Sequence, residues 1–122
     1  MSDGITWEGS PTALSGPGVE IRRVDHGDQA MCLLKLDKGV DTRPLFAGMQ
    51  NDQCQCHHWG YIISGTMLVR GLDGDRTYVA GDTYYWAPGH NLEALEDAHY
   101  LEISPSDQYD TLMAHCKKVM GG

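Results

Sequence analysis

The chain has 122 residues, 41% of them hydrophobic, which is enough for one packed core and too little for two. Seventeen acidic residues against nine basic ones give a formal charge of -8, which repels nucleic-acid phosphates and anionic lipid surfaces and sets both aside as partners. No apolar run approaches the roughly 20 residues of a membrane span, and the opening MSDGITWEGSP lacks the basic and apolar regions of a secretory leader, so a cytoplasmic protein with reduced cysteines is the expectation.

Residues 1–18 are rich in Ser, Gly and Pro without periodicity and read as a loose arm, with Trp7 as a possible anchor; the domain proper is 19–122. Short β-rich runs then follow at 19–24, 30–36, 42–49, 58–64, 66–70, 76–79, 83–86, 91–95 and 100–104, separated by turn residues. LDGD at 72–75 is a hairpin turn, since Asp-Gly accepts the positive φ of a tight turn. Many short strands without crossover helices predict an antiparallel sandwich or barrel, an all-β fold.

Only the end of the chain changes period. Tyr109, Leu112, Met113, Cys116 and Val119 recur at spacings of three and four, predicting a helix over 106–119 that closes the barrel on its outside. Ser106 is the expected cap, Asp107 and Asp110 sit toward the positive end of the helix dipole, Lys117 and Lys118 toward the negative end, and Gly121 can stop it. Cys116 on the apolar stripe and Cys32 inside MCLLKL read as small buried hydrophobes.

The segment QCQCHHWGYIISG, 53–65, concentrates metal-ligating side chains: Cys54, Cys56, His57 and His58 fall within five positions. On an extended strand, residues two apart share a face, so Cys54, Cys56 and His58 would project inward and His57 and Trp59 outward. Standard zinc motifs place two or more residues between cysteines, so the stretch alone leaves two readings open: a metal site, or buried thiols beside hydrogen-bonding histidines. A second stretch, GDTYYWAPGHNLEAL at 81–95, places His90 after a Pro-Gly turn at the head of another strand.

Together the two stretches resemble the cupins, small β-barrels whose motifs run G-x5-H-x-H-x3-E-x6-G and G-x5-P-x-G-x2-H-x3-N. Gly65 fits the closing glycine of the first motif and Gly48, two residues off its spacing, the opening one, and Gly81 with the Pro88-Gly89 turn follows the second. The ligand positions differ. Counted from Gly65, the histidine positions fall on Asp52 and Cys54 and the glutamate position on His58; counted from Gly81, the second-motif histidine falls on Leu92, two residues past His90. The usual three-histidine, one-glutamate set cannot form, and Cys54, Cys56, His58 and His90 remain as the candidate ligands. The C-x-C-x-H-W-G segment with a P-G-H turn is also similar to that of other small bacterial cupins.

Sulfur and nitrogen donors suit zinc first, then iron or copper, and disfavour magnesium and calcium. The resemblance implies one such ion and a small-molecule partner within the barrel. Tyr61 and Glu93 are the candidate catalytic groups, and Tyr85, His99 and Glu102 the candidate pocket residues. The expected function is a metal-dependent enzyme acting on a small organic molecule, of isomerase, lyase, hydrolase or oxygenase type, with a non-catalytic metal or small-molecule sensor as the alternative. Cupins commonly pair through outer sheets, so a homodimer is expected. Cys54 and Cys56, as ligands near a barrel mouth, would be the oxidant-sensitive thiols and Cys32 and Cys116 the inert ones.

Overall fold

The computed structural model describes residues 4–121. Within them the chain forms β1 (Thr12–Gly16), β2 (Val19–His26), β3 (Gln29–Leu36), α1 (Arg43–Phe46), β4 (His58–Ser64), β5 (Thr66–Gly71), β6 (Gly74–Val79), β7 (Thr83–Trp86), β8 (Asn91–Ala94), β9 (Ala98–Pro105) and α2 (Ser106–Val119). The strands make a six-stranded sheet in the order β1-β2-β3-β9-β4-β7 and a three-stranded sheet in the order β6-β5-β8, with antiparallel pairing throughout. This is the expected all-β architecture with a C-terminal helix.

Alternation decides what each strand buries. Along β9, Ala98, Tyr100, Glu102 and Ser104 point into the core while His99, Leu101 and Ile103 are partly exposed. The same parity puts Ala30, Cys32, Leu34 and Leu36 of β3, and His58 and Ile62 of β4, among the buried residues. Met67, Val69, Leu92 and Ala94 of the smaller sheet pack against them. The hairpin at 72–75 forms as expected, with Gly71 paired to Gly74 and Gly74 at a φ of 112°.

Four sequence expectations are corrected. The arm is a strand in its second half: β1 pairs with β2, and Leu14 is buried. Trp7 anchors the stretch before it, lying between Arg22 and Lys35, 4.3 and 4.1 Å from its ring centroid, with His99 against its edge. The stretch 42–49 is not a strand. Pro44 has no N–H for a ladder and fits a first helical turn, the Phe46 N–H reaches back to the Thr42 carbonyl at 2.9 Å, and Gly48 at a φ of 94° turns the chain away.

Ser106 is not a cap. Pro105 takes that position, β9 runs directly into α2, and the Ser106 N–H donates to the Asp28 carbonyl at 2.9 Å. Nor does α2 merely cover the outside of a closed barrel. Its buried residues Tyr109, Leu112, Met113 and Cys116 line the interior, and the helix packs against β1, β3, β9 and α1.

Candidate metal centre

Cys54 and His90 are brought together by backbone before any side chain acts. They form an isolated antiparallel bridge in which the Cys54 N–H donates to the His90 carbonyl at 2.8 Å and the Gly89 N–H donates to the Cys54 carbonyl at 2.7 Å. A strained approach sets up the first side of this bridge. Asn51 and Asp52 both sit in the left-handed region, at φ 56° and 55°, a conformation that short polar side chains tolerate best. Asp52 secures the turn twice: its side chain accepts the Gly48 N–H at 2.9 Å, and its carbonyl accepts from the Asn91 side chain at 3.1 Å. Gly89, at a φ of 92°, makes the turn that precedes His90.

His58, first residue of β4, completes a group of three. Ligand atoms of Cys54, His58 and His90 lie within 4.8 Å of one another, and the three residues are 0%, 2% and 2% exposed. The Cys54 Sγ stands 3.4 Å from His58 Nε2.

The hydrogen bonds fix which imidazole nitrogens face the group. His90 Nδ1 lies 2.7 Å from the Ala87 carbonyl, which can only accept, so Nδ1 carries the proton and Nε2 presents a lone pair. That Nε2 is buried and has no partner, an omission that costs about 1–3 kcal/mol unless something binds it. His58 Nδ1 lies 2.7 Å from Ser104 Oγ and 3.5 Å from Glu102 Oε1, which leaves its Nε2 toward Cys54. Both histidines thus follow the pattern of metal-binding imidazoles, one nitrogen held by the protein and the other turned inward.

Electrostatics agree with that chemistry. Burial holds His58 well below the usual imidazole range, with His90 and His57 adding to the effect, and burial likewise lowers His90, so both are neutral and able to donate a lone pair. Burial pushes the Cys54 thiol well up, against the Cys56 backbone N–H, which favours the thiolate. A cation would have to displace its proton. Burial also raises Glu102 to about 8, offset in part by the Tyr109 hydroxyl, which is close by without closing a hydrogen bond of ordinary geometry. Glu102 therefore enters the core as a neutral acid at pH 7.

The donor set fits a transition metal: one sulfur and two imidazole nitrogens, converging and buried, one of them an orphaned acceptor. Cys56 is not in the group. The chain bends between Cys54 and β4, so the extended alternation that would have aligned Cys54, Cys56 and His58 does not persist. The Cys56 Sγ points to the His57 carbonyl at 3.4 Å and is favoured by Ser104, while burial raises its thiol to about 12.

The other candidates separate by strand parity. Tyr61 is three residues from His58 and points outward, 41% exposed, and Tyr85, beside the buried Trp86, is 47% exposed. Tyr85 instead bonds His57 Nδ1 through its hydroxyl at 2.6 Å and packs with Trp59 on the outer surface. Glu93 neighbours the inward Leu92 and pairs with Arg70 at 2.7 Å. His99 lies on the outer side of β9, with Nδ1 3.0 Å from the Leu34 carbonyl. Of the proposed catalytic and pocket residues only Glu102 reaches the interior.

Sequence reasoning missed Ser104, the Ala87 carbonyl and Tyr109, whose ring meets His58 edge-on at 6.1 Å. Ser104 was readable, being two residues from Glu102 on one strand face. The other two depend on tertiary contacts. The access expected for Cys54 and Cys56 is not found, since both are buried; Cys32 and Cys116 are buried as expected.

The cavity beside His58 and His90, two of the three donors, measures about 40 Å³ and is lined by β2, β3, β9, α1 and α2 as well as by Leu92. No family model and no curated protein sequence matches the chain. Solved structures do. It is similar to KdgF from Halomonas sp., with 22% identity and a TM-score of 0.64 over 86% of this chain and 94% of that one. It is similar to an RmlC-like cupin from Shewanella frigidimarina, with 13% identity and a TM-score of 0.66 over 91% and 96%. A sugar phosphate isomerase of the cupin superfamily from Silicibacter pomeroyi aligns at 13% identity and a TM-score of 0.60 over 84% and 75%. The chain has the cupin fold, as its glycine and proline skeleton implied.

Proposed function

We propose that this cupin binds one transition-metal ion through Cys54 Sγ, His58 Nε2 and His90 Nε2 and uses it as an enzyme acting on a small molecule. The observation that carries the reading is the buried, unpartnered His90 Nε2 beside a second imidazole and a thiol. Zinc is the favoured ion for one sulfur and two nitrogens, with iron or copper as the other candidates. Three protein donors leave a position free, the arrangement of catalytic rather than structural sites, and the ion would supply Lewis-acid polarisation there. Glu102, inside the same cavity, is the group that would give or take a proton.

Support from likeness is limited to fold, and one neighbour is described as a sugar phosphate isomerase from a cupin superfamily. The small volume of the cavity favours a second reading, a non-catalytic metal or small-molecule sensor. We further propose a homodimer, in which a second copy covers Trp59, Tyr61, Ile63 and Tyr85, exposed on the outer side of β4 and β7 next to the free edge of β7. A cytoplasmic location goes with that reading; among the described residues no helix is long and apolar enough to cross a membrane.

The test is metal content. Protein purified without chelator should carry about one equivalent of metal, Cys54→Ser, His58→Ala and His90→Ala should each lose most of it, and Cys56→Ser should retain it. Full occupancy in the Cys54→Ser, His90→Ala double variant would refute the assignment.

A further inference from the structure

We infer that the free position of this centre takes a ligand of at most about three heavy atoms, and that Leu112 and Met113 of α2 set the limit. The inference rests on the metal reading above and adds to it the size and chemistry of what can approach the ion.

Space is the first argument. A pocket for an organic ligand typically measures about 300–1,000 Å³, whereas a single water needs about 10–15 Å³ of solvent-sized space. The cavity at His58 and His90 is about 40 Å³. A sugar or an amino acid does not fit, and a diatomic or triatomic molecule does.

The wall on that side is held in place at several points. Leu112 and Met113 are 4% and 5% exposed and line the cavity from the helix side. At the start of α2, the Ser106 N–H donates to the Asp28 carbonyl at 2.9 Å and the Gln108 side chain accepts the His57 N–H at 3.0 Å. One turn on, Arg23 of β2 pairs with Asp110 at 2.8 Å and lies 5.3 Å from the centre of the Tyr109 ring. Lifting the helix would break these links and bring Tyr109, Leu112, Met113 and Cys116 into water together.

Chemistry narrows the class further. No lysine or arginine lines the cavity, so nothing there would recognise a phosphate or a carboxylate by charge. Its polar groups are hydroxyls, imidazoles and the Glu102 carboxyl, and the rest of the wall is aliphatic or aromatic. The occupant is therefore a small, weakly polar molecule bound chiefly through the ion.

Cobalt(II) can be loaded in place of the native ion, and its visible absorption reports a new ligand without reference to any activity. Azide, with three heavy atoms, and imidazole, with five, are titrated against the cobalt protein at neutral pH. Azide should shift the spectrum at a concentration at least tenfold lower than imidazole. Azide is an anion and the ion with one thiolate carries a net positive charge, so charge also favours azide, and the size limit is read from how Met113→Ala changes the ratio of the two. Met113→Ala should improve imidazole binding at least tenfold while changing azide binding much less, and Leu112→Val tests the same wall if the first variant does not fold. Imidazole binding to the unmodified protein as tightly as azide would overturn the size limit, as would failure of both to bind. Failure to take up cobalt would overturn the metal reading, and the limit with it.

Discussion

Replacing Glu102 with glutamine in metal-free protein tests the electrostatics of the core directly. Burial raises this carboxyl from 4.5 to about 8, a gap of about 3.5 pH units. At about 1.36 kcal/mol per unit the gap corresponds to about 5 kcal/mol. The folded state holds the proton more tightly than the unfolded chain, so the stability it contributes is complete below pH 4.5, is lost as pH rises through the folded value near 8, and is constant above that. His58 and His90 act in the opposite sense. Their folded values are lowered, so they add stability as pH rises through 6.5, with a tail that fades over about one pH unit above it. Between pH 6.5 and 8 the Glu102 contribution is therefore read as the difference between the unmodified protein and Glu102→Gln, in which the histidine tail cancels. Relative to that variant, metal-free protein should lose about 2 kcal/mol over that interval, read as a falling urea midpoint at unchanged m-value. Glu102→Gln keeps a donor and an acceptor near Tyr109 but cannot ionise, so its midpoint should stay level or rise slightly over the same range. A level or rising midpoint in the unmodified protein, or an equal slope in the variant, would refute the reasoning.

The remaining predictions are briefer. Ser104→Ala removes the partner that directs His58 Nδ1 away from the group and should weaken metal binding about 10–100-fold, measured by competition with a chromophoric chelator; unchanged affinity would mean that Ser104 does not position the ring. All four cysteines of metal-free native protein should resist a thiol reagent that labels all four after unfolding, since each is buried and raised in pKa; rapid labelling of Cys54 or Cys56 would contradict their burial. A Cβ at Gly60 would overlap the Leu101 carbonyl and the Tyr84 hydroxyl, so Gly60→Ala should cost at least about 1–3 kcal/mol by urea denaturation, and an unchanged midpoint would dispute the register of β4 on β9. Trp59→Lys should shift the protein from dimer to monomer in light scattering, and a dimer of unchanged strength would place the interface elsewhere.

Most strands were legible because a two-residue period repeated over eight residues, as in β9, admits only one inward face. Local signals were weaker where they failed. β1 has Leu14 as its single buried residue, too little to show a period, and α1 is a four-residue turn organised by Pro44. At the site, Cys54, His58 and His90 were legible as residue types, but their convergence depended on a bridge between residues 36 positions apart. Cys56 was misplaced because alternation was carried through a bend. Tyr61 and Tyr85 were misplaced although parity alone, counted from His58 and Trp86, puts each on the outer face.

The geometry of the three donors also bears on why such a site needs its ion. Cys54 belongs to the turn after Asp52, His58 to the start of β4 and His90 to the turn before β8, so no two of them share a strand. The backbone bridge joins the first and third, and only the side chains reach the second. An unfolded chain cannot gather these groups, so an ion binds the folded state and stabilises it, by about 2.7 kcal/mol at a hundredfold excess over its dissociation constant. The same ion would satisfy His90 Nε2, which the protein leaves without a partner in its interior. It would also tie the turns at Cys54 and His90 to the large sheet on the side that α2 covers. Closure by the helix and assembly of the donors therefore meet at one cavity: Leu112 and Met113 of α2 wall the side on which His58 and His90 face it, and an ion would hold in register the two turns that carry Cys54 and His90.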